Sequence, residues 1–369
     1  MPDVAQILSR AAQGERLSLA EGTALLESRD LLALGLAANQ VRQRLHPEPV
    51  VTYIIDRNIN YTNICQCGCR FCAFWRREGD PQAYVIAEEE LAAKIEETLK
   101  EGGTGIMLQG GLHPGLDLDY YVNLLTSIKS RYDIQLHSLS PPEIVHIAHV
   151  SGLSVKEVLS ELHKAGLDSL PGGGAEILVN RVRRILSPAK ITWQEWMEVM
   201  ACAHDIGMRS TATMMFGHVE TPEERVLHMI RVREQQDRTG GFTAFIPWSF
   251  QPGNTAIGGR AASGVDYLKT MAVARLVLDN IPNIQVSWVT QGAKTAQVAL
   301  AFGANDFGSL MLEENVVSAA GVDYRVSLEE ITHCIREAGF IPVQRDSSYF
   351  EVRDLRFEVR RLSLGHSEP

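Results

Sequence analysis

Three cysteines in one short segment are the residues of this chain best suited to chemistry. Cys65, Cys69 and Cys72 form a C-x3-C-x2-C array within residues 63–74. Structural zinc takes four ligands, usually as two pairs separated by a longer insert, whereas a four-iron cluster held by three cysteines keeps one iron free. The odd number of thiolates therefore favours an iron-sulfur cluster, and the free iron is where another molecule would react.

A zinc site and disulfide bonds are the two alternative interpretations of these cysteines. Cys67 lies inside the array and makes a four-thiolate zinc site conceivable, but the one-residue gaps are too tight for four thiolates to converge comfortably on one ion. Disulfides are the weakest option, because the chain has only Cys202 and Cys334 besides these four and begins without a basic or apolar leader segment. We expect a reduced, cytoplasmic protein with a metal site.

The composition bounds the size and the partners of the protein. Its 369 residues, 45% of them hydrophobic, are enough for two ordinary domains or for one barrel with extensions. The net charge of −10 comes with no basic cluster, which argues against nucleic acid as a partner. No stretch reaches the roughly 18 uninterrupted apolar residues of a membrane helix, so we expect no membrane partner either.

Short β-type runs alternate with helical segments along most of the chain. Capping boxes such as Ser154 with Glu157 and Thr192 with Glu195 mark the starts of intervening helices. The pattern predicts an α/β protein: a TIM-type (β/α)8 barrel over 49–321, a helical N-terminal extension over 1–48, and a small C-terminal extension over 322–369 that ends in a mobile tail from about residue 362. The eight predicted strands are 51–56, 105–108, 134–137, 169–170, 210–216, 242–248, 284–289 and 306–310.

Polar or glycine-rich residues follow each predicted strand. In (β/α)8 barrels the active site is built where the C-terminal ends of the strands meet the following loops. Ordinary turn chemistry is the alternative explanation, since Gly, Pro, Asn and Ser end strands in every kind of protein. Gln, Glu and His at so many of these ends, and the cysteine array after the first strand, favour a site there.

The cysteine array, with Phe71 just before its third cysteine, resembles that of the radical S-adenosylmethionine (SAM) superfamily. The resemblance implies a [4Fe-4S] cluster held by the three cysteines and SAM bound to the open iron. One-electron reduction then releases methionine and a 5′-deoxyadenosyl radical. Gly110 and Gly111 match the superfamily's glycine motif at the SAM amino group. Glu176 matches a carboxylate that related members place near SAM, although a helix-capping role is the alternative.

Further segments resemble one subgroup of that superfamily, which contains aminofutalosine synthase, cyclic dehypoxanthine futalosine synthase and the deazaflavin-forming FO synthase. They are 56–63, 109–114, 140–143, 165–178, 212–221 and 302–308, within 51–321. Segments 240–255, 287–292 and 313–317 favour the second of these enzymes, which acts in the futalosine route to menaquinone. Cys67 departs from the pattern and leaves the choice of ligands slightly open.

The resemblance implies a specific reaction on a small molecule, dehypoxanthine futalosine. The adenosyl radical removes the hydrogen at the ribose 4′ carbon, the carbon radical adds to the benzoate ring, and loss of an electron and a proton gives a spiro product. A flavodoxin or ferredoxin is the expected one-electron reductant. The protein's share is to bind, orient and shield, because the cofactor carries the difficult chemistry.

Several residues qualify for contacts with that substrate, and the sequence does not choose between them. A cation or fixed donor for the benzoate carboxylate is expected among Arg57, Asn58 and His137, although Arg57 equally fits a surface salt bridge. The sugar hydroxyls require polar side chains, for which the candidates are Gln109, Thr213, Gln251 and Thr290. The departing proton requires a base, and His137, Glu143, His218 and Glu220 qualify by type and position.

Aromatic residues in the sixth and seventh predicted strands are candidates for stacking on the substrate. Trp248, Phe250 and Trp288 have this position, and packing of the barrel core is the alternative reading.

Two kinds of rival function remain at this point. Aminofutalosine synthase and the FO synthase component share the cluster and much of the strand-end pattern but differ in substrate. A non-enzymatic iron-sulfur electron carrier or a zinc-stabilised binding module belongs to another class. An electron carrier generally takes all four cluster ligands from the protein. A carrier function would also not explain the polar residues at the ends of all eight predicted strands.

Overall fold

The computed structural model describes residues 3–350, and the predicted mobile tail from about residue 362 lies outside them. The described part begins with three helices, α1 Val4–Ala12, α2 Leu19–Glu27 and α3 Leu31–Leu45. Ser18 and Glu21 form a capping box at the start of α2. Leu25 and Leu34 are fully buried, which fixes these helices to the body of the protein.

Ten β-strands follow, and all of their pairings are parallel. They form three sheets with the orders β10-β1-β9, β2-β3-β4 and β5-β6-β7-β8. Parallel sheets need helical crossovers, so the alternating pattern of the sequence is confirmed as an α/β fold. The strands are β1 Val50–Ile54, β2 Asp56–Ile59, β3 Gly105–Leu108, β4 Gln135–Leu136, β5 Ser169–Leu170, β6 Arg209–Phe216, β7 Phe242–Ser249, β8 Asn283–Ile284, β9 Asp306–Ser309 and β10 Ile341–Gln344.

Isolated bridges connect the three sheets to one another. His137 pairs with Ser169 and joins β4 to β5, and Gln285 pairs with Asp306 and joins β8 to β9. β1 and β2 are consecutive stretches of chain with Ile55 between them. The pairing therefore passes in order through all eight positions at which a strand was predicted.

Most strand predictions agree with the structure, but two need correction. The first predicted strand is two strands, and it extends to Ile59 rather than ending at residue 56. The seventh ends at Ile284, and Trp288 begins a short helix instead of continuing the strand. The N–H of Gly292 donates to the Trp288 carbonyl at 2.7 Å and closes that turn. Tertiary contacts thus override the β propensity of this apolar segment.

The intervening helices begin where their capping residues predict. Ser154, Thr192 and Thr221 each cap a helix through a capping box, and Ser327 caps the last one. No described helix is both long and apolar enough to cross a membrane. The helices are α4 Glu88–Lys100, α5 Leu118–Arg131, α6 Pro141–Ser151, α7 Val155–Lys164, α8 Asn180–Leu186, α9 Trp193–Asp205, α10 Pro222–Thr239, α11 Gly264–Val277, α12 Trp288–Gln291, α13 Ala293–Ala299, α14 Val316–Ala319 and α15 Leu328–Glu337.

The C-terminal segment contributes a strand that the sequence pattern did not predict. β10 pairs with β1 from Val50 to Tyr53. Beyond β10 the chain turns inward, and Arg345 and Ser347 are buried. This segment therefore belongs to the packed structure around the strands.

Candidate active site

The cysteine loop follows β2 and is fastened at its base by backbone hydrogen bonds. The N–H of Arg76 donates to Asn63 O at 2.8 Å, and the N–H of Cys65 donates to Arg76 O at 3.0 Å. Inside the loop, the N–H of Cys72 donates to Cys69 O at 3.1 Å and forms a turn. The loop therefore presents its thiols at the C-terminal end of the first strand position.

The donor set of this loop fits a four-iron cluster better than a zinc ion. Within residues 3–350, no three His, Cys, Asp or Glu side chains converge on a point where one metal ion would bind. Zinc requires such convergence, whereas the cysteines of a four-iron cluster bind different iron atoms and stay apart. Three cysteines in one loop, each able to bind a different iron, therefore fit a cluster that leaves its fourth iron open.

The charge states of the thiols separate Cys67 from its neighbours. Hydrogen bonding within the group Cys65, Cys67 and Cys69 is the main cause that lowers the pKa of Cys65 to about 5 and that of Cys69 to about 7. The same hydrogen bonds raise the pKa of Cys67, and burial raises that of Cys72. Because the thiolate is the metal-binding form, the lowered pKa values favour Cys65 and Cys69 as ligands, whereas Cys72 is a candidate by its spacing alone. The Cys67 thiol also lies 3.7 Å from Ala189 O.

A buried charged cluster lies beside the loop. Glu176 is 6% exposed and pairs with Lys190 at 2.9 Å and with Arg183 at 3.3 Å. Burial opposes its ionisation, but the two cations outweigh burial and hold the pKa of Glu176 below its usual value. The Lys190 ammonium lies 5.2 Å from the centre of the Phe71 ring. Phe71 and Glu176, two of the four residues expected at the cofactor, therefore lie around one lysine, and Glu176 caps no described helix.

Gly110 and Gly111 let the end of β3 pack closely against residues 61–65. A Cβ atom on Gly111 would lie 2.1 Å from Ile64 O and 2.8 Å from the Cβ of Cys65. A Cβ atom on Gly110 would lie 2.5 Å from the Tyr61 ring. The two glycines therefore have a packing role at the cysteine loop, and a contact with SAM remains a prediction.

A cavity of about 280 Å³ opens among the C-terminal ends of the strands. Such a concave site with a few polar groups on an apolar wall is typical of small-molecule binding. The residues singled out from the sequence that line it are Asn58, Gln109, His137, Glu176, Thr213, Trp248, Trp288 and Thr290.

Arg57 and Gln251 do not line this cavity, so the cavity does not support their expected role in substrate binding, which stays a prediction. Side chains alternate along a strand, so Asp56 and Asn58 face the cavity while Arg57 faces the other way. Arg57 binds Glu97 at 2.6 Å and lies 3.5 Å from Glu313. The side-chain amide of Gln251 donates to the carbonyl oxygens of Ser249 and Thr290.

Glu143, one of the four candidate bases, has a structural role instead. Its carboxylate is buried and accepts the Tyr61 hydroxyl at 2.7 Å, the Gly110 N–H at 2.9 Å and the Ser140 N–H at 2.7 Å. With Ser140 it forms the capping box of α6. Burial raises its pKa. It does not line the cavity, so it links the helix to the glycine segment.

His218 and Glu220 pair with each other and also do not line the cavity. Glu220 contacts the His218 ring at 2.9 Å, binds Arg225 at 2.8 Å and accepts the Gly217 N–H. Burial opposes its ionisation, but the hydrogen bond with His218 and the Arg225 charge lower its pKa to about 2. A carboxylate this acidic and this fully bonded is a poor base at neutral pH.

His137 is the candidate base that does line the cavity. Its Nδ1 lies 2.7 Å from the Ser169 hydroxyl and its Nε2 lies 3.5 Å from the Thr211 hydroxyl. Burial lowers its pKa to about 3, so the ring is neutral at pH 7. A neutral imidazole accepts or donates a hydrogen bond but supplies no charge to a carboxylate.

The two tryptophans of the cavity differ in how firmly they are held. Trp248 projects from β7 and is half-buried. Trp288, which lies in α12 and not in a strand, is 3% exposed, and its indole N–H donates to Ser309 O at 2.7 Å. Phe250 is buried outside the cavity, in edge contact with His218. The free aromatic face is therefore that of Trp248.

Several cavity residues were missed by the sequence analysis. Asp56 has a local signal, since it stands two positions before Asn58 on the same strand face. The others carry no recognisable spacing, because they come from segments that only the folded chain brings together. They are Gln285, Ser309, Arg345, Ser347 and Tyr349, whereas Ser287 and Glu314 lie in the segments 287–292 and 313–317 that the sequence had already marked without giving these two residues a role.

Two protein-family models match this chain, one in each half. Residues 59–230 match the Radical SAM superfamily model, and residues 239–359 match the CofH/MqnC C-terminal region. The chain is 52% identical over 349 residues to the cyclic dehypoxanthine futalosine synthase of Halalkalibacterium halodurans, which covers 94% of each chain. It is 44% identical to the enzyme of the same name from Streptomyces coelicolor, over 94% of this chain and 88% of that one. Identity to the aminodeoxyfutalosine synthase of Thermus thermophilus is 40%, over 95% and 96%.

Solved structures support the fold. Methylornithine synthase superposes with a TM-score of 0.71 at 19% identity, covering 91% of this chain and 97% of that chain. The hydrogenase maturase HydG of Carboxydothermus hydrogenoformans superposes with a TM-score of 0.74 at 17% identity, covering 94% and 80%. At these identities the likeness concerns the fold alone.

The sequence matches confirm the interpretation of the cysteine array. The protein is an enzyme of the radical SAM type, with a [4Fe-4S] cluster and SAM as cofactors, and the electron-carrier and zinc-module alternatives are wrong. The chain belongs to the radical SAM superfamily and, within it, to the family that contains cyclic dehypoxanthine futalosine synthase.

Proposed function

We propose that this protein converts dehypoxanthine futalosine into cyclic dehypoxanthine futalosine in the futalosine route to menaquinone. The observation that carries the proposal is the 52% identity, over 94% of both chains, to a cyclic dehypoxanthine futalosine synthase. Aminodeoxyfutalosine synthase is less similar at 40%. A 5-amino-6-(D-ribitylamino)uracil--L-tyrosine 4-hydroxyphenyl transferase of Methanopyrus kandleri reaches 44% over 90% of this chain.

The residues of the chain would bind, orient and shield the substrate. Cys65, Cys69 and Cys72 would hold the cluster, and SAM bound to it would supply the 5′-deoxyadenosyl radical needed to abstract the ribose 4′ hydrogen. The cavity lies at the strand ends next to the loop that carries these cysteines. The apolar wall that includes Trp248 suits the benzoate ring, and enclosure limits the water and stray hydrogen donors that would quench a radical.

The proposal includes further features of the protein. Closure of the three sheets into one (β/α)8 barrel is supported by the two bridges between sheets and by the TM-scores above 0.7. We also propose that the segments before residue 49 and after residue 321 are extensions of the barrel. The proposal further includes a cytoplasmic location and a flavodoxin or ferredoxin as the reductant. A net charge of −10 supports the absence of a nucleic-acid partner.

Isotope labelling tests the reaction directly. Dehypoxanthine futalosine carrying deuterium at the ribose 4′ carbon is incubated anaerobically with the reconstituted enzyme, SAM and dithionite. We expect labelled 5′-deoxyadenosine and a product two hydrogens lighter than the substrate. The matched control is Cys72→Ala, which should give neither. A product that contains the adenosine moiety, or unlabelled 5′-deoxyadenosine, would overturn the proposal and favour aminofutalosine synthase.

A further inference from the structure

Two polar residues on β2 face the cavity without a full set of partners. Asp56 and Asn58 stand two positions apart, line the cavity and are each 8% exposed. One carboxylate oxygen of Asp56 accepts the Ser309 hydroxyl, and the other has no hydrogen-bond partner within residues 3–350. The buried Oδ1 of Asn58 likewise accepts no hydrogen bond from the described chain.

Such unsatisfied groups point to a ligand. A buried polar atom without a partner, such as Oδ1 of Asn58, costs about 1–3 kcal/mol, so a group of this kind in a cavity is commonly completed by what binds there. The strand register places His137 on the same face two strands from Asn58: Asn58 pairs with Met107, and the pair Ile106–Leu136 comes just before Met107 and His137. The neutral ring of His137 faces the same cavity.

The charges around this wall exclude a carboxylate as the ligand. Arg345 is the one lysine or arginine among the described residues that line the cavity, and its guanidinium is taken by Asp306 and Gln285. Glu314, which also lines the cavity, accepts the N–H of Val317 at 2.8 Å. A carboxylate placed against Asp56 would find no free cation and a second negative charge.

We propose that Asp56 and Asn58 form a subsite for adjacent hydroxyl groups of a sugar ring, with His137 beside it. Each hydroxyl has one hydrogen to donate, and this wall offers the carboxylate and amide oxygens that accept such hydrogens. The inference rests on the proposed function and assigns the ribose of the substrate to β2. The benzoate carboxylate is then directed away from this strand, which replaces the expectation that Asn58 binds it.

Equilibrium binding without turnover tests the subsite. The reconstituted enzyme with SAM but no reductant is titrated with dehypoxanthine futalosine and with analogues that lack the 2′ or the 3′ hydroxyl. We expect wild type to prefer the parent compound to at least one analogue. Asn58→Leu, which keeps the size of the side chain, should weaken parent binding about 3- to 10-fold and reduce that preference. Asp56→Asn should weaken it by a similar or larger factor.

A neighbour on the same strand provides the control. Arg57→Lys lies on the opposite face, keeps its charge next to Glu97 and Glu313, and should bind parent and analogues as wild type does. Iron content per chain shows that each variant is folded and loaded.

The outcomes separate the two proposals. Wild-type preference retained in both Asn58→Leu and Asp56→Asn would overturn the subsite while leaving the function intact. A wild type that does not bind dehypoxanthine futalosine would overturn both.

Discussion

Arg345 binds both carboxylate oxygens of Asp306 at the cavity, although 39 residues separate them in the chain. The contact between Nη2 and Oδ1 measures 3.0 Å, and the guanidinium carbon lies 3.8 Å from the centre of the Tyr349 ring. Both partners of the ion pair are almost fully buried. The segment after β10 is thereby tied to β9, and it completes the wall of the cavity.

Breaking this pair should destabilise the protein strongly. Arg345→Met leaves the Asp306 carboxylate buried without its cation, which typically costs about 3–5 kcal/mol in the free energy of unfolding. Denaturant unfolding of the reconstituted enzyme measures the loss. The control is Arg325→Met, because the pair of Arg325 with Asp323 is largely exposed and should contribute less than about 1 kcal/mol. Equal effects of the two substitutions would contradict the structural role of Arg345.

Asp56 should make the protein less stable as pH rises. Burial raises its pKa from 3.8 to about 6, against the opposing effects of the Ser309 hydrogen bond and the Arg345 charge. Between pH 3.8 and about 6 the Asp56 carboxyl group keeps its proton in the folded state but has lost it in the unfolded state. The free energy of unfolding therefore falls as pH rises through this range, and the loss is complete above about pH 6.

The variant Asp56→Asn removes that cost. The difference between the two pKa values corresponds to at most about 3 kcal/mol, so the variant should unfold at higher denaturant concentration than wild type at pH 8. Its advantage should shrink as pH falls below 6 and vanish below about 4. An advantage independent of pH would show that ionisation of Asp56 is not the cause.

Single substitutions distinguish the ligands among the four cysteines of the loop. Cys65→Ala, Cys69→Ala and Cys72→Ala should each abolish cluster assembly, because only these three have the C-x3-C-x2-C spacing. Cys67→Ala should keep it largely intact, since Cys67 stands outside that spacing and its thiol, whose pKa is raised, lies near Ala189 O. Iron content and visible absorption after anaerobic reconstitution measure the result. Loss of the chromophore only in Cys67→Ala would reverse the ligand assignment.

Gly111→Ala should disturb the cysteine loop and not only the binding of SAM. The new Cβ atom would lie 2.1 Å from Ile64 O, which is backbone and cannot move without shifting Cys65. We expect lower iron content in this variant. Gly115→Ala is the control, because its nearest neighbour is the flexible His113 ring at 3.6 Å. Full iron loading together with weakened SAM binding would restore the purely cofactor-binding interpretation of Gly111.

The two cavity tryptophans should respond differently to removal. Trp248→Ala should weaken dehypoxanthine futalosine binding several-fold with little loss of stability, because loss of a stacked ring costs about 1 kcal/mol beyond the area it buries. Trp288→Ala should lower the free energy of unfolding by about 3–5 kcal/mol, since that side chain is buried and bonded to Ser309 O. Titration and denaturant unfolding of both variants make the comparison. The distinction fails if Trp288→Ala unfolds like wild type.

The sequence by itself determined the features that depend on neighbours in the chain. The spacing of Cys65, Cys69 and Cys72 is local, and so the cluster site was readable directly. Capping boxes such as that of Ser154 with Glu157 satisfy the N–H groups of one helical turn, which is why helix starts were predicted correctly. The alternation of strands and helices was enough for the α/β fold.

Only the tertiary structure decided which polar side chains share the cavity. Asp56 and Arg57 are adjacent in sequence and equally polar, but the pleat of β2 turns one to the cavity and the other to Glu97. Glu143 was a candidate base from its residue type and position. Its hydrogen bond from Tyr61, which is 82 residues away in the chain, could not be predicted from the sequence. No sequence pattern marked Arg345 as a residue of the cavity. The charge state and the role of a side chain depend on the residues that contact it. Many of these residues are far away in the sequence and come close only when the chain folds.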